Sequence, residues 1–176
     1  MALKLNLKSG QRAQRKLLIT VAEWGDEETK SREILGTRTE DSSIEFNADI
    51  STSTDILGIT YTDVNKTEPQ QSFDPFFILG GSALSEYLTT AALKNDIDAY
   101  NGAFNVYIIT AFIGDDENGY YAVKHSGCSI LPTGIGGDAY TNMPIEVHYS
   151  NNITEGTVDD FRKKDFVFTA TEAAAG

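Results

Sequence analysis

From Ile44 to Ser51 the chain alternates without a miss. Ile44, Phe46, Ala48 and Ile50 fall on one side, and Glu45, Asn47, Asp49 and Ser51 on the other. A period of two belongs to the β-strand, whose successive side chains leave on opposite faces. The segment predicts one amphipathic strand, with an apolar face for a core and an acidic, polar face for solvent. The same period recurs along the chain. Leu3, Leu5 and Leu7 alternate with Lys4, Asn6 and Lys8, and Ile145, Val147 and Tyr149 with Glu146 and His148. Leu17 to Ala22 is apolar at nearly every position, which predicts a strand covered on both faces. Phe104 to Ile113 is rich in β-branched and aromatic residues, and Tyr120 to His125 follows the turn Gly114–Gly119 as its hairpin partner. Asp55 to Tyr61 continues the pattern less cleanly, and Asp165 to Thr169 gives a last short strand. The stretches Asp63–Ser72, containing Pro69, and Leu131–Gly137 read as loops.

One segment departs from this rhythm. Leu84, Tyr87, Leu88, Ala91 and Ala92 recur at helical spacing, with Ser82 as N-cap and Asn95-Asp96 as a stop. The expected fold is therefore mainly β: an antiparallel β-sandwich or barrel with one flanking α-helix at about residues 82–94. A length of 176 residues fits a single domain spanning 1–176. Residues 1–12 read as an N-terminal arm, and 170–176, built of small side chains, as a flexible tail.

Charge narrows the function. Lys and Arg number 14 and Asp and Glu 26, a net charge of −12. That argues against holding nucleic acid or an anionic membrane, both of which favour basic surfaces. The charge is uneven: residues 1–38 carry +3, residues 39–123 carry −12 and residues 124–176 carry −3. All five charges in the first 22 residues are basic: Lys4, Lys8, Arg12, Arg15 and Lys16. Such polarity fits a basic arm that meets an acidic surface on another copy. With no apolar run of signal-peptide or membrane-span length, a soluble protein made in a reducing cytoplasm is expected.

Motifs for chemistry are weak. One cysteine, Cys128, excludes an intrachain disulfide, and with His125 and His148 it is too few for a four-ligand His/Cys zinc site. His125-Ser126-Gly127-Cys128 shows neither an orienting third group nor an oxyanion motif, so Cys128 reads as a small buried thiol. Asp115-Asp116-Glu117-Asn118-Gly119 lacks the ligand spacing of a calcium loop and reads as a hairpin turn. Gly134-Ile135-Gly136-Gly137 has no following Lys-Ser/Thr pair or helix, so it is not a phosphate loop. No catalytic residue, metal or cofactor is expected. Two non-enzymatic functions remain. One is a carbohydrate- or ligand-binding β-sandwich using exposed Tyr107, Tyr120, Tyr121 or Tyr140. The other is a self-assembling subunit with strand edges and arms left open for neighbours.

Several stretches in order carry a family resemblance. They are Ser43-Ile44-Glu45-Phe46-Asn47-Ala48-Asp49 with Thr54-Asp55-Ile56-Leu57-Gly58, and Phe73-Asp74-Pro75-Phe76 leading into the helix. Tyr121-Ala122-Val123-Lys124, Gly136-Gly137-Asp138, Pro144-Ile145-Glu146-Val147-His148-Tyr149 and Gly156-Thr157-Val158 follow. Over roughly residues 13–160 the chain resembles the major tail protein, or tail tube protein, of long-tailed bacteriophages, in the form common among phages of Gram-positive hosts. Some members add a C-terminal immunoglobulin-like domain, for which this sequence is too short. The resemblance implies a virion protein whose subunits form hexameric rings that stack into a hollow tube through which double-stranded genomic DNA passes. It implies tape measure, tail terminator and tail tip proteins as partners, and no membrane binding. Tubes of contractile injection systems use related rings, so that alternative stays open.

An acidic lumen repels DNA, whereas a basic one would grip its phosphates. Glu45, Asn47 and Asp49 are therefore the expected lumen-facing residues, with Ile44, Phe46, Ala48 and Ile50 packed toward the helix. Contacts between subunits or rings are expected at Lys4, Lys8, Arg12, Arg15 and Lys16 of the arm. They are also expected at Asp63, Lys66 and Glu68 of the loop, or at the turn Gly25–Arg32.

Overall fold

A computed structural model describes residues 3–171. The most buried run of the sheet is β1 (Leu18–Trp24), whose last five residues are all buried. β1 pairs on one side with β2 (Ser31–Ile34) and on the other with β7 (Phe104–Asp115). β7 turns back into β8 (Gly119–Pro132), the longest strand. β8 then divides its other edge. Tyr120 to His125 pair with β10 (Ile153–Val158), and Ser129 to Pro132 pair with β9 (Ile145–His148). Gly127, at φ 78°, lies between the two halves, a left-handed conformation that glycine adopts without strain. β9 continues to β6 (Gln70–Phe73) and β3 (Ile44–Glu45), while β10 continues to β11 (Phe168–Ala170). All these pairings are antiparallel, giving a nine-stranded sheet with the main order β2-β1-β7-β8-β9-β6-β3. β4 (Ala48–Thr54) and β5 (Thr60–Thr67) form a separate two-stranded sheet.

The large sheet curls back on itself. Thr20 of β1 and Gln71 of β6 lie near opposite ends of the strand order, yet their side chains hydrogen-bond at 3.0 Å. No ladder joins β1 to β6, so the seam is held by side chains. Arg15, in a 3-10 turn (Arg15–Leu17), reinforces it by donating to the carbonyls of Leu18 at 2.6 Å and Ser42 at 2.7 Å.

The one α-helix among the described residues, α1 (Ala83–Lys94), agrees with its sequence signals. The Ser82 hydroxyl accepts from Ser85 N at 3.0 Å, and Asn95 closes the helix in the left-handed conformation at φ 53°. Leu84 and Leu88 are fully buried against Trp24, Phe104 and Met143. Each contributes about 1.5–3 kcal/mol through apolar burial. Tyr87 stacks beside Trp24 and Phe104 at centroid distances of 6.0 and 5.9 Å. A second core, on the other part of the sheet, gathers Val21, Tyr107, Ile109, Ala122, Val158 and Phe166.

The mainly β, one-helix architecture is as expected, but several elements differ. The strand expected over Ile44–Ser51 is two strands in different sheets. Asn47 breaks it at φ 45°, donating through Nδ2 to Glu68 O at 3.1 Å. Only Ile44 packs against the core; Phe46 and Ile50 are 65% and 57% exposed, and Ala48 is exposed as well. The expectation that all four face the helix is therefore wrong. Asp63–Ser72 is strand on both sides of Pro69 rather than loop, because Glu68 and Pro69 simply redirect the chain from β5 to β6. β8 runs on through the segment read as the start of a loop. β10 is a strand the period does not reveal, and the last strand begins three residues beyond Asp165, at Phe168. Leu3–Leu7 makes one isolated bridge, Leu5 to Ile113, instead of a strand. Ala170 pairs with Gly156 and Thr171 donates to Glu155 O, so the start of the expected tail is held; residues 172–176 lie outside the described residues.

Candidate functional site

The β4–β5 hairpin is the part of the molecule that the core does not explain. Every residue of both strands is exposed. At about 3.4 Å per residue, seven residues carry its tip about 24 Å from its root. The register sorts its faces. Ile50 is opposite Val64, Thr52 opposite Thr62 and Thr54 opposite Thr60, which builds a β-branched face. Asp49 opposite Lys66, Ser51 opposite Asp63 and Ser53 opposite Tyr61 build a polar face. A bulge at Asn65 keeps that polarity: Asn65 donates to Asp49 at 3.4 Å and accepts from Ser51 at 3.3 Å.

The tip is ordered by one carboxylate. Asp55 Oδ1 accepts from Leu57 N at 2.8 Å and Ile59 N at 2.9 Å, and Oδ2 accepts from the Tyr61 hydroxyl at 3.2 Å. The Ile59 amide and these further donors hold the Asp55 carboxyl below its usual range, although partial desolvation opposes them. Gly58, at φ 80°, completes the turn. Ile56 is fully exposed at 102% and Leu57 is 78% exposed.

The expected lumen residues are divided by this arrangement. Glu45 lies on the end strand β3, Asn47 forms the break, and Asp49 belongs to the hairpin's polar face. Asp63 joins Asp49 on that face, while Lys66 and Glu68 pair with each other at 2.6 Å. Lys4, Lys8, Arg12, Arg15 and Lys16 are all exposed. The arm touches its own chain through Asn6, which donates from its backbone to Phe112 O at 2.8 Å and from Nδ2 to Gly114 O at 3.1 Å. The turn Gly25–Arg32 ends in a residue with an internal role, since Arg32 Nε donates to Glu23 Oε2 at 2.6 Å.

That ion pair was not signalled by sequence. Glu23 is 1% exposed and also accepts from Asn105 at 3.0 Å and from the Tyr107 hydroxyl. Arg32 lies over the Phe166 ring at 4.4 Å and donates to Phe166 O at 2.6 Å, fastening the C-terminal segment to β1 and β2. Burial would raise the Glu23 carboxyl, but Asn105, Arg32 and Lys124 together hold it low. Burial and the Glu23 charge push Tyr107 up to about 12.

Other candidate chemistry is taken up by structure. Tyr107 and Tyr120 are buried, so they cannot form the glycan platform considered for them; Tyr140 is 77% exposed. The Cys128 thiol is buried, which raises it, and it donates to His125 O at 3.5 Å. His125 Nδ1 meets Ser150 O at 2.8 Å instead of the thiol. Asp115 Oδ1 accepts from Glu117 N and Asn118 N, closing the acidic stretch as a turn. Among the described residues no group of three or more His, Cys, Asp or Glu is placed to hold a metal.

No protein-family model matches the chain. No curated protein matches it in sequence. Among solved structures, a chain in the cryo-EM structure of the anti-feeding prophage baseplate, six-fold symmetrised, has a similar fold. The two are 9% identical with a TM-score of 0.50, and the match covers 85% of this chain and 97% of that one. At that identity the likeness is one of fold alone.

Proposed function

We propose that this chain is a structural, non-catalytic subunit of a phage-like particle that joins copies of itself into a tail tube. The observation that carries the reading is the β4–β5 hairpin. A two-stranded sheet with both faces in water is marginal by itself. This one places Ile50, Val64 and four threonines on one face, and Ile56 and Leu57 on its tip, with more than half of each apolar side chain left in water. A neighbouring copy is the natural cover. The fold likeness to a baseplate chain supports the same class of assembly.

In the finer form of the reading, six copies close a ring and the rings stack into a tube within the tail of a virion. The polar hairpin face with Asp49 and Asp63, together with Glu45 and Asn47, then borders the channel. Acidic and neutral groups predominate on that face, and its one cation, Lys66, is paired with Glu68, so a DNA duplex is kept near the axis with few of its counterions displaced. Lys4, Lys8, Arg12, Arg15 and Lys16 supply the basic side of contacts between copies. Tape measure, terminator and tip proteins are the partners at the tube's length and ends. A tube or baseplate part of a contractile injection system is the second reading, favoured by the anti-feeding prophage likeness. Negative-stain microscopy of the purified protein tests the proposal. Rings or hollow tubes are expected; a strict monomer that binds a glycan overturns it. Tubes with Glu45, Asn47 and Asp49 on the outer wall would sink the lumen assignment alone.

A further inference from the structure

The hairpin tip has a matching hole on the same molecule. Phe77, Ile78, Leu79, Tyr140, Thr141 and Arg38 line an apolar cavity of about 200 Å³ between the segments that enter α1 and β9. Its walls are fixed. Phe77 bridges Asn142, Ile78 N donates to Thr141 O at 3.2 Å, and Asn142 Oδ1 accepts from Phe76 N at 2.8 Å. Phe77 and Tyr140 meet edge to face at 6.4 Å and form a lip. A cavity of roughly 150 Å³ admits a benzene ring, so this one has room for a branched aliphatic side chain.

Resting on the self-assembly reading above, we propose that Leu57 and Ile56 at the hairpin tip of one copy seat in the Phe77–Tyr140 cavity of the next, with Asp55 facing Arg38.

Three observations favour a second copy as the occupant. The tip is apolar yet nearly fully exposed, so its own chain does not fill the hole with it. The hairpin is long enough, at about 24 Å, to reach past its own subunit. The charges are complementary: Arg38 is exposed and makes no ion pair among the described residues, while Asp55 keeps acceptor capacity beyond its three donors. Each copy then offers one tip and one hole; used head to tail, as the tube reading requires, the contact is heterologous and propagates from copy to copy.

Two experiments test this on the full chain. Mixing Leu57→Cys chains with Tyr140→Cys chains under mild oxidation should give a disulfide-linked dimer that neither variant gives alone. The native Cys128 is fully buried and does not compete. Leu57→Asp and Tyr140→Ala should each raise the concentration needed for assembly about ten-fold or more, because a Leu side chain loses its buried site. Both positions are exposed, so neither variant should change the melting of the monomer. Wild-type tubes with no mixed disulfide, or Tyr140→Ala assembling as wild type does, overturn the tip-and-hole contact and leave the tube reading standing. A mixed disulfide from a protein that forms no tubes or rings keeps the contact and removes the tube reading. A wild type that stays monomeric, with no mixed disulfide, removes both.

Discussion

The Thr20 hydroxyl donates to Gln71 Oε1 at 3.0 Å across the seam where the curled sheet meets itself. Gln71 is 1% exposed, and the same oxygen accepts from the Tyr149 hydroxyl at 2.6 Å while Nε2 donates to Ser42 Oγ at 3.0 Å. One amide thus satisfies polar groups from both ends of the strand order where no backbone ladder does. Gln71→Leu strands two buried hydroxyls and should cost roughly 3 kcal/mol. Tyr149→Phe removes one donor and leaves the Thr20 bond to Oε1 in place, so about 1 kcal/mol is expected. Urea unfolding of both variants measures this; equal losses would mean that the seam does not depend on the amide.

Glu23 and Arg32 make stability depend on pH. The Glu23 carboxyl is held below its ordinary 4.5 in the folded chain. The folded state then binds fewer protons at this site than the unfolded state. Its contribution is complete above pH 4.5 and is lost as the pH falls through the folded value. Glu23→Gln should flatten the acid limb of a stability–pH curve. Arg32→Ala leaves a buried carboxylate without its cation and should cost roughly 3 kcal/mol at neutral pH. It should also loosen the segment around Phe166, readable as faster amide exchange there. An acid limb unchanged in Glu23→Gln would place the acid sensitivity elsewhere.

Glu33 joins β2 to the helix start. Its Oε1 accepts from the Ser82 hydroxyl at 2.6 Å and its Oε2 from Leu84 N at 3.1 Å. A carboxylate there meets unpaired amides and the positive end of the helix dipole. Ser82→Ala should cost about 1 kcal/mol through the lost cap. Glu33→Ala should cost a similar amount. Because the two side chains touch, the double variant should lose less than both singles together, by at least about 0.5 kcal/mol. Full additivity would show that they act independently.

The helix was legible because all its signals are local: spacing, cap and stop lie within Ser82–Asn95. β1 was legible because both its faces are apolar. The alternation at Ile44–Ser51 marks extended chain, but as two strands broken at Asn47 and not as one strand facing a core. Period two states that two faces differ and not what covers the apolar one. In this chain the left-handed Asn47 sends the second half outward, and only the fold shows that Phe46 and Ile50 meet water. β10 was missed because Ile153-Thr154-Glu155-Gly156 has little apolar content of its own. Its place comes from the edge that β8 offers it. The Glu23–Arg32 cluster draws Asn105, Tyr107 and Phe166 from distant parts of the chain, so no spacing could announce it. The cavity under Tyr140 is likewise made by three segments, around Arg38, Phe77–Leu79 and Tyr140–Thr141, that meet only after folding.

The hairpin separates folding from assembly, and that separation can be measured. Its root is closed already: Glu68 N donates to Phe46 O at 3.0 Å and Asn47 Nδ2 to Glu68 O at 3.1 Å. Residues 48–67 can therefore be replaced by a short Gly-Ser linker without stretching the chain, and a shorter loop costs less closure entropy. No residue of either core lies in the removed segment. The shortened chain should thus unfold within about 0.5 kcal/mol of the full chain, as surface changes usually do. It should also remain monomeric by sedimentation at concentrations where the full chain assembles. A large drop in stability would mean that the hairpin belongs to its own subunit's core. Unimpaired assembly would mean that neighbouring copies meet through other surfaces, such as the basic arm or the open strand edges of β2 and β3.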